Sequence, residues 1–159
     1  MTKLSHINDQ GQAEMVDISG KDKTKRTALA FGEINMQKET LKMIIKGNSP
    51  KGDVLSTARL AGIMAAKKTS DLIPLCHQIN LAKINVWFEI NEKKNTIEIR
   101  SEAILDDKTG VEMEALTAVS VAALTLYDMC KAGDRGMKIE NIHLTFKEGG
   151  KSGTYNSND

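Results

Sequence analysis

Ile79-Asn-Leu-Ala-Lys-Ile-Asn-Val-Trp-Phe-Glu-Ile-Asn91-Glu-Lys-Lys-Asn95-Thr-Ile-Glu-Ile-Arg-Ser-Glu-Ala-Ile-Leu105 consists of two alternating runs around a polar turn. From Ile79 to Ile90, Leu81, Lys83, Asn85, Trp87 and Glu89 fall on one side, and Ala82, Ile84, Val86, Phe88 and Ile90 on the other. Period-two alternation is the mark of a half-buried strand. Asn91–Asn95 is rich in turn formers, and Thr96–Leu105 returns with Ile97, Ile99 and Ser101 on its core side. A β-hairpin therefore occupies the middle of the chain. Upstream, Asp53 caps a helix whose close-packing face is Val54, Leu55, Ala58, Ala61, Gly62 and Ala65. Before it come a short helix, Lys38–Lys46, closed by Gly47-Asn48, and a strand, Thr27–Met36, in which Gly32 is a weak point. Downstream, a long helix runs from about Val111 to Lys131 and ends before Gly133, and a last strand covers Lys138–Lys147. The order is strand, helix, strand, strand, helix, strand. It predicts an α+β, ferredoxin-like βαββαβ fold, a four-stranded antiparallel sheet with helices packed on one face. The other face carries mixed side chains, which predicts partial cover by a second subunit.

Bulk properties narrow the class. A chain of 159 residues holds one domain with a real core. A net charge of +1 and 27% charged residues give no general pull toward nucleic acid or a membrane. Aromatics at 4% are too few for a single-strand stacking platform. No apolar run reaches the length of a membrane span and the first ten residues have no signal-peptide core, so a cytoplasmic location is expected. Cys76 and Cys130 are far apart with no CxxC, and read as reduced thiols. Together with the scattered His6, His77 and His143 they make no zinc pattern, and no metal site is expected. The expected division is a flexible basic arm (residues 1–26), a single α+β domain (27–148) and a flexible Gly-rich tail (149–159).

The chemistry-bearing residues collect in four places. In the long helix, Glu112 and Glu114 open an otherwise small and apolar run, and Asp128 and Lys131 share a face near its end. Fourteen residues at about 100° each bring Glu114 within roughly 40° of the line of Asp128, which predicts one ionisable stripe along the helix. Acids at a helix start and a lysine at its end also satisfy the macrodipole, but that leaves Asp128 unexplained. Lys51, in Pro50-Lys51-Gly52-Asp53, precedes a helix start, as either an anion-binding or a surface lysine. Leu75-Cys76-His77 follows Pro74 in a loop, where His77 is an acid, base or donor, or else structural. Gly149-Gly-Lys-Ser-Gly153 lacks the strand, helix and upstream glycine of a nucleotide P-loop. It remains either a solvated tail or a strand that folds over a phosphate with Lys147 and Lys151. These residues leave open an enzyme of phosphorylated small molecules, a nucleotide-binding regulatory module, and, more weakly, an RNA-binding domain, since Trp87 and Phe88 point to opposite faces.

Asp71-Leu-Ile-Pro-Leu-Cys-His77, Lys51-Gly-Asp-Val54, Thr109-Gly-Val-Glu-Met-Glu-Ala-Leu-Thr117, Tyr127-Asp-Met-Cys-Lys131 and Gly149-Gly-Lys-Ser-Gly153, with the opening Leu4-Ser-His-Ile-Asn8 and Met15-Val-Asp17, resemble the cyclic pyranopterin monophosphate synthase family of molybdenum cofactor biosynthesis. The resemblance runs over about residues 4–153, with Gln78 where the family pattern has proline. It implies a ferredoxin-like hexamer of three dimers with active sites at the dimer interface. The implied substrate is a cyclised GTP derivative, 3′,8-cyclo-7,8-dihydro-GTP, rearranged to cyclic pyranopterin monophosphate with release of pyrophosphate. Asp128 is implied as the catalytic acid/base and Lys131 and Lys51 as proton donors or acceptors. By the same resemblance, Leu75, Cys76, His77, Met113 and Glu114 are implied to bind substrate, with Glu112 supporting them. Arg26, Lys147 and Lys151 are the expected triphosphate grip. No redox cofactor is implied, and assistance by Mg²⁺ is left open.

Overall fold

The computed structural model describes residues 5–157. Residues 1–4 of the expected arm, including Leu4 of the opening motif, and residues 158–159 of the tail lie outside the described residues. The elements are β1 (Thr24–Asn35), α1 (Lys38–Ile45), α2 (Val54–Ala66), α3 (Thr69–Leu72), β2 (Lys83–Asn91), β3 (Thr96–Asp107), α4 (Glu112–Cys130), β4 (Lys138–Glu148) and β5 (Tyr155–Asn156). The sheet order is β2-β3-β1-β4-β5, and every neighbouring pair is antiparallel. The first four strands take the ferredoxin-like order.

The sheet has five strands where four were expected. Tyr155 and Asn156 pair with Lys147 and Phe146, and Ser157 N–H donates to Thr145 O at 2.8 Å. The tail expected to be flexible therefore returns along β4. Two residues are too few to show a period, so this strand has no sequence signal. β1 starts at Thr24, ahead of the expected Thr27, and puts Arg26 opposite Leu105. β2 starts at Lys83 and not at Ile79; of the preceding stretch, Ala82 N–H alone bonds the hairpin partner, at Ile104 O.

The core lies between the sheet and α4. Ala28, Ala30 and Ile34 of β1 and Ile97, Ile99, Ala103 and Leu105 of β3 are buried on one sheet face. Ala115, Ala118, Val119, Ala122, Ala123 and Leu126 of α4 are fully buried against them and against α2. Small residues let these layers close up. A Cβ at Gly62 of α2 would sit 2.7 Å from the Ala118 carbonyl oxygen, and one at Gly32 of β1 would sit 2.6 Å from Val119 Cγ1. The apparent weak point in β1 is thus where α4 approaches the sheet. α4 has the length and apolarity of a membrane span, but Ala115, Ala118, Val119, Ala122, Ala123 and Leu126 of it form the core itself. The opposite sheet face carries Phe31 with the Arg100 guanidinium 5.0 Å from its ring centre and His143 5.5 Å away. Leu60, Met64 and Leu124 lie exposed on the outer faces of α2 and α4.

Candidate active site

Three clusters of functional side chains surround α4. The first is at its C-terminal end. Asp53 caps α2 by accepting from Ser56 N–H at 2.9 Å, and Gly52, at φ +89°, supplies the left-handed turn before it. That turn swings Lys51 back over α4. Its ammonium donates to Asp128 O at 3.0 Å and lies 3.8 Å from the Asp128 carboxylate. Lys131, one turn on, donates to Asp128 Oδ1 at 2.6 Å. Two cations thus flank one carboxylate at the negative end of the helix dipole. The Lys131 hydrogen bond and charge, with Lys51 beyond, hold the Asp128 carboxyl below its ordinary range, and Asp128 in turn raises Lys131. At neutral pH Asp128 is thus a carboxylate and Lys131 an ammonium, and their pairing makes each a weaker base or acid than it is when free.

The second cluster is at the N-terminal end of α4. Leu75, Cys76, His77, Glu112, Met113 and Glu114 line one cavity of about 170 Å³ together with His6, Ile79, Thr109 and Gly110. Pro74 stops the turn of α3 and sends the chain into the loop that carries His77. His77 Nε2 lies 2.7 Å from Val16 O; a carbonyl only accepts, so Nε2 carries the proton. Glu114 is 4% exposed, and burial pushes its carboxyl up to about 7, with the Glu112 charge adding to a shift that its own backbone hydrogen bond opposes. Burial also raises the Cys76 thiol, and Glu114 adds to it.

The third cluster is a cleft of about 480 Å³ that shares Thr109 and Gly110 with the second. Lys21, Arg26, Lys108 and Lys151 supply its positive charge against the single acid Asp22, and Thr24, Gly150 and Ser152 also line it. Gly149 and Gly150 have φ of +101° and +78°, and a Cβ at either would run into Lys25 O or the Arg26 guanidinium. The glycine pair lets the tail lie directly on Arg26. Lys147 joins this cleft to the cavity, pairing with Glu112 at 3.4 Å and bonding Ser152 Oγ.

The structure brings Leu75, Cys76 and His77 to Glu112, Met113 and Glu114, with Arg26, Lys147 and Lys151 beside them, and brings Lys51 to Asp128 and Lys131. It does not bring these two groups together. The stripe expected from Glu114 to Asp128 is long, and its two ends serve different clusters. Fourteen residues at 1.5 Å separate the two by ~21 Å along the axis. Lys21 and Lys108 were not singled out. Lys21 had a signal, the basic run before β1. Lys108 had none, since its contacts, to Ser19 O at 2.7 Å and from Arg26 to its own carbonyl, are distant in sequence.

A proton-transfer cluster, a small partly buried cavity with a carboxyl near neutrality, and an adjoining basic cleft on a ferredoxin-like sheet define an enzyme of phosphorylated small molecules. The chain belongs to the MoaC family, whose profile matches residues 15–150. It is 57% identical over 155 residues, 98% of this chain and 95% of the relative, to a protein named cyclic pyranopterin monophosphate synthase from Desulforapulum autotrophicum. Proteins of the same name from Listeria monocytogenes (56% over 152 residues, 96% and 94% of the two chains) and Thermomicrobium roseum (52% over 159 residues, 100% and 96%) are similar to it.

Proposed function

We propose that this enzyme is a cyclic pyranopterin monophosphate synthase that acts by general acid/base catalysis at a site shared between two subunits. The substrate is 3′,8-cyclo-7,8-dihydro-GTP, and the products are cyclic pyranopterin monophosphate and pyrophosphate. The observation that carries the shared site is the ~21 Å between the two ends of α4. One end has proton donors and acceptors beside a cleft walled largely by apolar groups, and the other has the His77–Glu114 cavity and a cation cleft. A second copy presenting its Lys51, Asp128 and Lys131 at the first copy's His77–Glu114 cavity completes the site. The exposed Leu60, Met64 and Leu124 and the aromatic–arginine sheet face are the surfaces such an assembly, a hexamer of three dimers, has at hand.

Opening a purine ring and closing it as a pterin moves protons at several atoms. Asp128 takes them and Lys131 and Lys51 give them. Glu114, beside His77, presents a carboxyl to the N–H edge of the ring system, and Glu112 is held for this by Lys147. In the phosphate half, a ribose-derived hydroxyl oxygen attacks the α-phosphorus, its proton passes to a base, and the bond from that phosphorus to the bridging oxygen breaks. The departing pyrophosphate is stabilised by Arg26, Lys147 and Lys151, joined by Lys21 and Lys108. Any Mg²⁺ would arrive on the triphosphate, which supplies the oxygens that ion prefers. Both cysteines are unpaired, as in the reducing cytoplasm where we place the enzyme. The test is pyrophosphate release from enzymatically made substrate, with pterin fluorescence after oxidation. Wild type yields both, and folded Asp128→Ala and Lys131→Ala yield neither. A folded wild type that binds the nucleotide without turning it over would overturn the reading in favour of a regulatory module.

A further inference from the structure

α1 leads into the loop that carries Lys51, and buries Thr40, Leu41 and Ile44 on its inner side. Below it a cleft of about 350 Å³ separates α1 from the end of α4, with Met43, Pro50, Lys51, Met129 and Cys130 in its lining. Gln37, at the N-terminal boundary of α1, makes no side-chain cap. The oxygen that caps this end comes from far along the chain. Asp134 lies just beyond α4 and is 2% exposed. Its Oδ2 accepts from Gln37 N–H at 2.8 Å and from the Thr40 hydroxyl at 3.1 Å, and its Oδ1 accepts from Gly136 N–H at 3.1 Å. Its own N–H donates to Cys130 O at 3.2 Å, which anchors it to the last turn of α4. At the other end of the same segment Lys51 reaches back to Asp128 O at 3.0 Å. Beside the core packing of Leu41 and Ile44, the α1–Lys51 segment is tied to the end of α4 at both of its ends, by one buried carboxylate and one ammonium.

We propose that Asp134 is a positioning residue that keeps the Lys51 loop in register with Asp128 and Lys131. The role rests on the acid/base reading of those three groups, although the geometry it claims exists without it. Asp134 touches neither substrate nor reacting atoms; it acts through α1. An asparagine there keeps the size but turns an NH₂ toward one of three donors, so the strut weakens without opening a cavity.

The test compares Asp134→Asn and Thr40→Val with Ile99→Val, a core change in β3 that loosens packing away from α1. Two readouts are used: pyrophosphate release, and the NMR resonance of isotopically dimethylated Lys51, assigned by its loss in Lys51→Arg. The expected result is a kcat at least about tenfold lower in Asp134→Asn with KM within about twofold. Thr40→Val shows a smaller loss of the same kind, Ile99→Val shows none, and the Lys51 resonance moves in the first two variants only. If folded Asp134→Asn keeps wild-type kcat, or its Lys51 resonance stays in place, the proposal is wrong. Should wild type itself release no pyrophosphate, the functional reading falls, and the Lys51 resonance alone decides for or against Asp134.

Discussion

Both ends of α4 carry carboxyl groups, and the fold treats them in opposite ways. At the N-terminal end Glu114 is buried beside Glu112, and its carboxyl is pushed up to about 7. At the C-terminal end Asp128 stands more than half exposed between Lys131 and Lys51, and its carboxyl is held down. Desolvation dominates at one end and paired charge at the other. The difference teaches that one helix, apolar over most of its length, can present a proton acceptor to one neighbour and a near-neutral acid to another. On the proposed reading, in which both ends serve one site, the ~21 Å between them calls for a second copy.

The sharpest way to break the comparison is at the charged end. Asp128→Asn keeps the shape and removes the acceptor, and kcat should fall by about 10²-fold or more while circular dichroism is unchanged. The paired lysine should behave alike: Lys131→Ala loses turnover without unfolding, because an exposed ion pair contributes little to stability. Retained activity in either folded variant would remove this end from the chemistry.

At the other end the expected effect is on stability and its pH dependence. The folded carboxyl of Glu114 titrates near 7 and the unfolded one near 4.5. The folded state therefore holds its proton more tightly, and stability is greatest below about 4.5 and is lost as pH rises toward about 7. Above neutrality the buried charge costs up to about 3 kcal/mol. Glu114→Gln should remove that fall, so denaturant unfolding at pH 8 should show a more stable variant, which nonetheless loses turnover. A variant with the wild-type pH profile would mean that Glu114 is not desolvated.

Ending the chain after Glu148 should act on affinity. It removes β5 and the Gly149–Ser152 wall of the basic cleft, so KM should rise about tenfold, with a gap to wild type that narrows at high salt as surface charges are screened. Unchanged kinetics would take the tail out of the phosphate grip. The smallest effect on activity belongs between the two ends. Gly62→Ala presses a methyl on the Ala118 carbonyl and should cost about 1–3 kcal/mol in thermal unfolding. Its kcat at room temperature should stay that of wild type.

Much of this architecture was legible because burial leaves a period. The β2–β3 hairpin alternates strictly, and α4 reads as a helix packed on both sides. What escaped lacks a period or depends on distance in three dimensions. Thr24–Lys25 extend β1 as exposed residues, so neither face shows. Tyr155–Asn156 gain strand form only from β4. The basic cleft draws Lys21, Lys108 and Lys151 from three segments far apart in sequence. The motif residues were legible one by one, and their division between two clusters was not, because periodicity reports the face of a helix and not what packs around each of its ends.

The most direct measurement of the shared site is subunit complementation. Asp128→Ala and His77→Ala proteins, each inactive alone, are unfolded together, refolded as a mixture and assayed for pyrophosphate release. If each site takes one end of α4 from each of two subunits, random pairing of equal amounts leaves one intact site in half of the dimers, and activity returns to about a quarter of wild type. If the mixture stays as inactive as its parents while forming mixed oligomers, each site is built within one chain, and the division of α4 into two half-sites is contradicted.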